Sequence, residues 1–163
     1  MPQEIVVGVT GGIAAYKVAS LVSDLVQSDF GVTVVLTRSA RKFIGAATFR
    51  ALTGRSVCND IFDRRYPLGA HIELARQADL VCIAPTSADF MAKAAHGMAD
   101  DLLSTLLLSF RGPVLMAPAM NAEMWEKAGV QRNLQQLKDD GVHIAEPQEG
   151  WLSCREKGVG RMS

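Results

Sequence analysis

Three polar residues of this chain sit at turns where their side chains can do chemistry. Asn121 follows Pro118-Ala119-Met120 and precedes a helical pattern that begins Ala122-Glu123-Met124-Trp125. Its side chain suits a helix N-cap, worth about 1 kcal/mol, and its amide equally suits donation to a ligand carboxylate at the same helix mouth. His71 opens the short run His71-Ile72-Glu73-Leu74, either as a half-exposed residue at a helix end or as an acid–base group. Cys154 lies in a glycine-rich tail among Arg155, Lys157 and Arg161. A thiol there can attack or can donate a proton, and the residues alone leave both open. The other two thiols differ. Cys82 lies inside an apolar run and reads as inert packing, while Cys58 has no partner motif. With no CxxC pair, neither a disulfide framework nor a metal site is expected, and a reducing cytoplasm is the simplest home.

Three turns have the form that binds ligands. Val9-Thr10-Gly11-Gly12-Ile13-Ala14-Ala15-Tyr16-Lys17 reads as strand, glycine turn, helix. Glycine lets the backbone approach a ligand, and the first N–H groups of the helix lack partners. The spacing is neither G-x-G-x-x-G nor a P-loop, and no acidic residue closes the second strand to hold an NAD ribose. Thr37 and Ser39 stand there instead, and hydroxyls suit a phosphate or ribityl chain. A mononucleotide fits this better than a dinucleotide; the bland alternative is a glycine turn with Ser39 as a helix N-cap. Ala84-Pro85-Thr86-Ser87-Ala88-Asp89-Phe90 and Ala117-Pro118-Ala119-Met120-Asn121 each follow an apolar stretch and open a helix.

The elements that must position these turns alternate. Short apolar strands are expected at Glu4–Val9, Val32–Leu36, Leu80–Ala84, Val114–Ala117 and Val142–Ile144. Helices are expected at about 13–27, after Ser39 to about Leu52, and at 72–77, 87–95, 100–110 and 122–139. Strands of this kind between such helices imply βαβ units, hence a single α/β domain with a three-layer, doubly wound parallel sheet of Rossmann-like or flavodoxin-like type. The segment 147–163 shows neither period, and reads either as a frayed terminus or as a loop folding over a ligand.

Composition excludes several classes. With 163 residues, 48% hydrophobic, 21% charged and zero formal net charge, the composition argues against a nucleic-acid or anionic-membrane binder, which normally shows a basic face. No apolar run reaches the roughly 20 residues that span a bilayer. Glu4 and the glycines from Gly8 leave no basic-plus-apolar leader.

Taken in order, Gly11-Gly12-Ile13-Ala14-Ala15-Tyr16-Lys17, His71-Ile72-Glu73-Leu74, Ala84–Phe90, Ala117–Trp125 and Cys154…Gly160-Arg161-Met162 resemble phosphopantothenoylcysteine decarboxylase, of the homo-oligomeric flavin-containing cysteine decarboxylases. The most specific match is Pro118-Ala119-Met120-Asn121-Ala122-Glu123-Met124-Trp125, the family's P-x-M-N-x-x-M-W motif. The resemblance implies FMN on Gly11, Gly12, Ile13, Ala14, Thr37, Ser39, Ser87, Ala88, Asp89, Phe90 and Ala119. It implies substrate on Met120, Asn121, Met124 and Arg161, with His71, Asn121 and Cys154 catalytic. The substrate would be 4′-phosphopantothenoylcysteine, whose CH2–SH is oxidised to a thioaldehyde so that CO2 can leave; the resulting enethiol is then reduced, with Cys154 as proton donor. It further implies a trimer or dodecamer, with phosphopantothenate-cysteine ligase as a partner, and residues 147–163 as the loop covering the substrate. One stretch departs from the pattern: the family's P-A-S/T-A-N-T loop reads Pro85-Thr86-Ser87-Ala88-Asp89-Phe90, which puts Asp89 and Phe90 in doubt as flavin contacts.

Overall fold

The valines of the first strand face two ways, and that fixes the architecture. In the computed structural model, which describes residues 1–163, β1 (Glu4–Val9) sends Ile5, Val7 and Val9 into one core and Val6 into another. The first core is closed by α1 (Ala15–Gln27) through Val18 and Val22 and by α2 (Ala46–Thr53) through Phe49. The second takes Leu74 of α3 (Ala70–Gln77), Phe90 and Met91 of α4 (Ala88–His96), Leu103 and Leu106 of α5 (Leu102–Ser109), and Leu134 and Leu137 of α7 (Ala128–Asp139). A sheet buried on both faces must be apolar at every position, so these strands lack polar alternation.

The sheet has five parallel strands: β1 is flanked by β2 (Gly31–Leu36) and β3 (Leu80–Thr86), and beyond β3 come β4 (Val114–Pro118) and β5 (His143–Ile144). The order 2-1-3-4-5 is the flavodoxin-like version of the doubly wound sheet expected from sequence. No helix is long and apolar enough to cross a membrane.

Three details differ from expectation. The helix expected after Ser39 is two pieces, a 3-10 turn at Ala40–Lys42 and then α2, because extended Gly45 interrupts them. Ser39 supplies no cap; the Thr37 hydroxyl accepts the Ala40 N–H at 3.2 Å instead. The helix expected over 122–139 breaks at Lys127 into α6 (Ala122–Glu126) and α7.

The largest difference is the tail. Residues read as aperiodic form an antiparallel hairpin, β6 (Gln148–Trp151) and β7 (Lys157–Arg161). Its pairing is set by the Leu152–Glu156 turn, and its position by two buried side chains, Leu152 and Met162. It docks through backbone: Met120 N–H donates to the Gly160 carbonyl at 3.0 Å, and a Cβ on Gly160 would collide with the Met120 carbonyl oxygen. Gly160→Ala is therefore expected to detach the hairpin while sparing the sheet. Trypsin should then cut near Arg155 and Lys157 at least about tenfold faster, since cleavage follows the population of the open form. Unchanged cutting would show that the hairpin is held elsewhere.

Candidate functional site

In an open α/β sheet, ligands bind outside the carboxyl ends of the strands where the winding reverses. Here the chain leaves β1 in one direction for β2 and returns past β1 to β3, so the reversal lies between β1 and β3. Thr10, at the end of β1, is almost fully buried and ties the two strand ends together. Its N–H and its hydroxyl both donate to the Pro85 carbonyl, at 3.3 and 2.5 Å, and the hydroxyl oxygen accepts the Ser87 N–H at 2.9 Å. Ser87 in turn caps α4, accepting the Phe90 N–H at 3.1 Å. The glycine turn and the start of α4 thus face one crevice as a rigid pair.

Free donors line that crevice. No protein acceptor takes the backbone N–H of Gly11, Gly12, Ile13 or Ala14. Gly11 is held so close that a Cβ there would lie 2.5 Å from the Ser39 Cβ. Four unpartnered N–H groups before a helix form a seat for oxygen atoms of a ligand, and the helix dipole favours negative charge there.

Two cavities open from the crevice and share Gly11 and Ser87. The larger, about 510 Å³, is mainly apolar and runs from Gly11–Ala14, Ser87 and Ala88 to Ala119, Met120, Asn121 and Met124. The hairpin forms its far wall through Trp151, Leu152, Ser153, Gly160, Arg161 and Met162. The smaller, about 270 Å³, is polar and is lined by Thr10, Thr37, Arg38, Ser39, Asp89, Phe90, Lys93 and Asp101. The larger volume lies within the roughly 300–1,000 Å³ of small-molecule sites.

Comparison with known proteins fits this geometry. The family profile described as Flavoprotein matches residues 1–163. The chain belongs to the Flavoprotein family. Across this family, it is 46% identical to the coenzyme A biosynthesis bifunctional protein CoaBC of Mycobacterium tuberculosis over 99% of its own length. It spans only 38% of that relative. Among solved structures it resembles the FMN-dependent cysteine decarboxylase SpaF, at 36% identity and TM-score 0.88 over 97% of this chain and 89% of that one. It also resembles a PPC decarboxylase mutant complexed with pantothenoylaminoethenethiol, at 26% identity and TM-score 0.90 over 100% and 92% of the two chains.

Within this Flavoprotein-family chain, the residues singled out from sequence divide three ways. Gly11–Ala14, Ser87, Ala88, Ala119, Met120, Asn121, Met124 and Arg161 line the larger cavity, and Thr37, Ser39, Asp89 and Phe90 the smaller. His71 and Cys154 line neither. Of the departing pair, Phe90 is 2% exposed and belongs to the second core, whereas the Asp89 carboxylate stands in solvent 3.5 Å from the Lys93 ammonium. Asn121 serves as the cap of α6, its Oδ1 accepting the Met124 N–H at 2.9 Å, while its Nδ2 donates to no protein atom.

His71 stands at the start of α3, and its Nδ1 is buried without a hydrogen-bond partner. Cys154 is exposed at the hairpin tip, next to Ser153 in the cavity wall. Cys82 and Cys58 are buried; burial pushes the Cys82 thiol up to about 11, and raises that of Cys58 against the opposing hydrogen bond from Tyr66. Neither is poised to react. Lining residues that sequence reading missed include Tyr16, Lys17, Arg38 and Lys93, while Trp151 and Met162 lie in the segment 147–163 expected to cover the substrate. Lys17 was legible in principle, since it lies in the first turn of the helix that the glycine turn opens.

Proposed function

We propose that this chain is an FMN-dependent carboxy-lyase that converts 4′-phosphopantothenoylcysteine to 4′-phosphopantetheine in coenzyme A biosynthesis, working as a homo-oligomer. The observation that carries this reading is a single cavity with free turn N–H groups at one end, the free Asn121 amide at the other, and the Cys154 hairpin as its wall. The CoaBC relative and the ligand of the PPC decarboxylase mutant support it from outside.

The residues present fit FMN. Ser87, Ala88 and Ala119 would hold the ring system against an apolar lining, and the free N–H groups of Gly11–Ala14 with the hydroxyls of Thr37 and Ser39 and with Arg38 would hold the ribityl phosphate. The cofactor would supply a reversible two-electron oxidation of CH2–SH, which gives the departing carboxyl group an electron sink. The chain's own residues do the rest. Asn121 Nδ2 binds the carboxylate, Met120 and Met124 pack against the substrate body, and Cys154 delivers a proton to the enethiol. A peptidyl-cysteine substrate is the second reading; the likeness to SpaF, an FMN-dependent cysteine decarboxylase, fits either substrate.

Oligomerisation accounts for His71. It lies outside both cavities, while Ile13, Tyr16, Met124 and Trp151 leave a large apolar surface exposed around the larger one. A second copy seated there would cover that surface and bring its own His71 to the site. Phosphopantothenate-cysteine ligase activity belongs, on this reading, to the remainder of the bifunctional relatives or to a separate partner.

The test is CO2 release from 4′-phosphopantothenoylcysteine by protein loaded with FMN. Failure to take up FMN, or to release CO2 when loaded, overturns the reading. Mixing and reassembling inactive His71→Asn and Asn121→Asp proteins should restore about a quarter of wild-type activity if each site draws the two residues from different copies. No restoration would mean that both come from one copy.

A further inference from the structure

The lining of the larger cavity carries two cations, Lys17 and Arg161, and no carboxylate. That imbalance is local, because the chain as a whole is neutral. In the smaller cavity Lys93 is answered by Asp100 at 3.0 Å, while Arg38 there, like the pair in the larger cavity, has no carboxylate within 4.0 Å. Lys17 and Arg161 have no carboxylate within 4.0 Å. The only protein acceptor of Lys17 is the Met162 carbonyl at 3.4 Å, which leaves two ammonium protons free.

The two charges are also brought together by the fold. Lys17 lies in the first turn of α1, and Arg161 ends β7, one residue before the buried Met162 whose carbonyl Lys17 approaches. Burial, and after it the charge of Arg161, hold the Lys17 ammonium below its ordinary value. Arg161 is itself braced, its side chain lying across Gly150 on the paired strand. Two like charges kept adjacent and unneutralised have a use when a dianion comes between them.

We propose that Lys17 and Arg161 form a phosphate-monoester subsite on the open side of the larger cavity, and that it selects phosphorylated over unphosphorylated pantothenoylcysteine. This rests on the function proposed above and identifies what sets its substrate class. The cofactor also carries a phosphate monoester, but the hydroxyls and Arg38 of the smaller cavity answer that one. The substrate then spans the cavity, with its carboxylate on Asn121 and its phosphate on the cation pair.

The experiment compares kcat/KM of the FMN-loaded protein for 4′-phosphopantothenoylcysteine and for pantothenoylcysteine. It is paired with calorimetric binding of 4′-phosphopantothenate and pantothenate, which lack the cysteine and cannot react. Wild type should prefer the phosphorylated member of each pair by about a hundredfold, and Lys17→Gln or Arg161→Gln should cut that preference by about tenfold or more. Lys17→Arg should keep most of it. Equal use of both compounds by wild type, or parallel losses for both in the variants, would overturn the subsite while leaving the decarboxylase reading intact. Loss of the preference of apo-protein for FMN over riboflavin in the variants would also overturn it, by assigning the cations to the cofactor. Phosphate-dependent binding through Lys17 and Arg161 without CO2 release from either compound would retain the subsite and sink the decarboxylase reading.

Discussion

Cys154→Ser protein, loaded with FMN and kept anaerobic, is expected to release about one CO2 per site and then stop at the enethiol. Loss of CO2 takes only the oxidation of CH2–SH; finishing the reaction requires a hydride and a proton to return to the carbon skeleton. A positioned general acid contributes about 10²–10⁴-fold, so formation of the saturated thiol should fall at least about a hundredfold. The fold should not register the change. Cys154 is exposed, and the hairpin turn is held by the Leu152 N–H to the Glu156 carbonyl and the Arg155 N–H to the Leu152 carbonyl, both at 2.9 Å, without the thiol. Ser153 beside it lines the cavity, so a ligand filling that space meets the segment that carries the thiol. Mass spectrometry separates the products, since the enethiol is two hydrogens short of phosphopantetheine. Full conversion to phosphopantetheine by the variant would refute the proton-donor role. Loss of CO2 release with FMN still bound would move Cys154 to the earlier steps.

The parts of this molecule legible in its sequence are those where local chemistry and tertiary environment agree. The run Ile5–Val9 is apolar throughout because Ile5, Val7 and Val9 meet one layer and Val6 the other, so composition alone marks a central strand. Asn121 was legible as a cap and as a donor because the amide has two ends, and the structure uses one for α6 and leaves the other free. What stayed hidden depends on distant contacts. Glu126-Lys127-Ala128 are good helix formers, yet extended backbone at Lys127 separates α6 from α7, with Trp125 packed on the second core and its carbonyl accepting the Gln131 side-chain amide at 2.6 Å. Propensity is a weak prior against such packing. The tail carries no strand signal because its pairing is narrow and its docking is made by main chain, through Gly160 and Met120. Phe90, implied at the flavin by the resemblance, lines the smaller cavity and is also 2% exposed in the second core, and no local pattern in the sequence foretells that packing.

Asn121→Asp is expected to keep the fold and the flavin while losing the substrate. Asp replaces Asn well as an N-cap, and its charge suits a helix N-terminus, so α6 and the Met124 N–H remain satisfied and stability should change by less than about 0.5 kcal/mol. The other half of the side chain reverses its meaning. On the proposed function, an amide free to donate to the substrate becomes a carboxylate facing the substrate's own carboxylate, and two like charges about 4 Å apart at a partly solvated site repel by about 4 kcal/mol. The value of kcat/KM should therefore fall by about 10³-fold, against an unchanged melting temperature and unchanged FMN titration. Asn121→Ala is the complementary variant: it removes the cap and the donor together, costing about 1 kcal/mol of stability as well as activity. If Asn121→Asp turns over normally while Asn121→Ala is impaired only in stability, the residue is a helix cap alone. The substrate carboxylate must then be held by another donor in the cavity, of which the free N–H groups of Gly11–Ala14 are the nearest in kind.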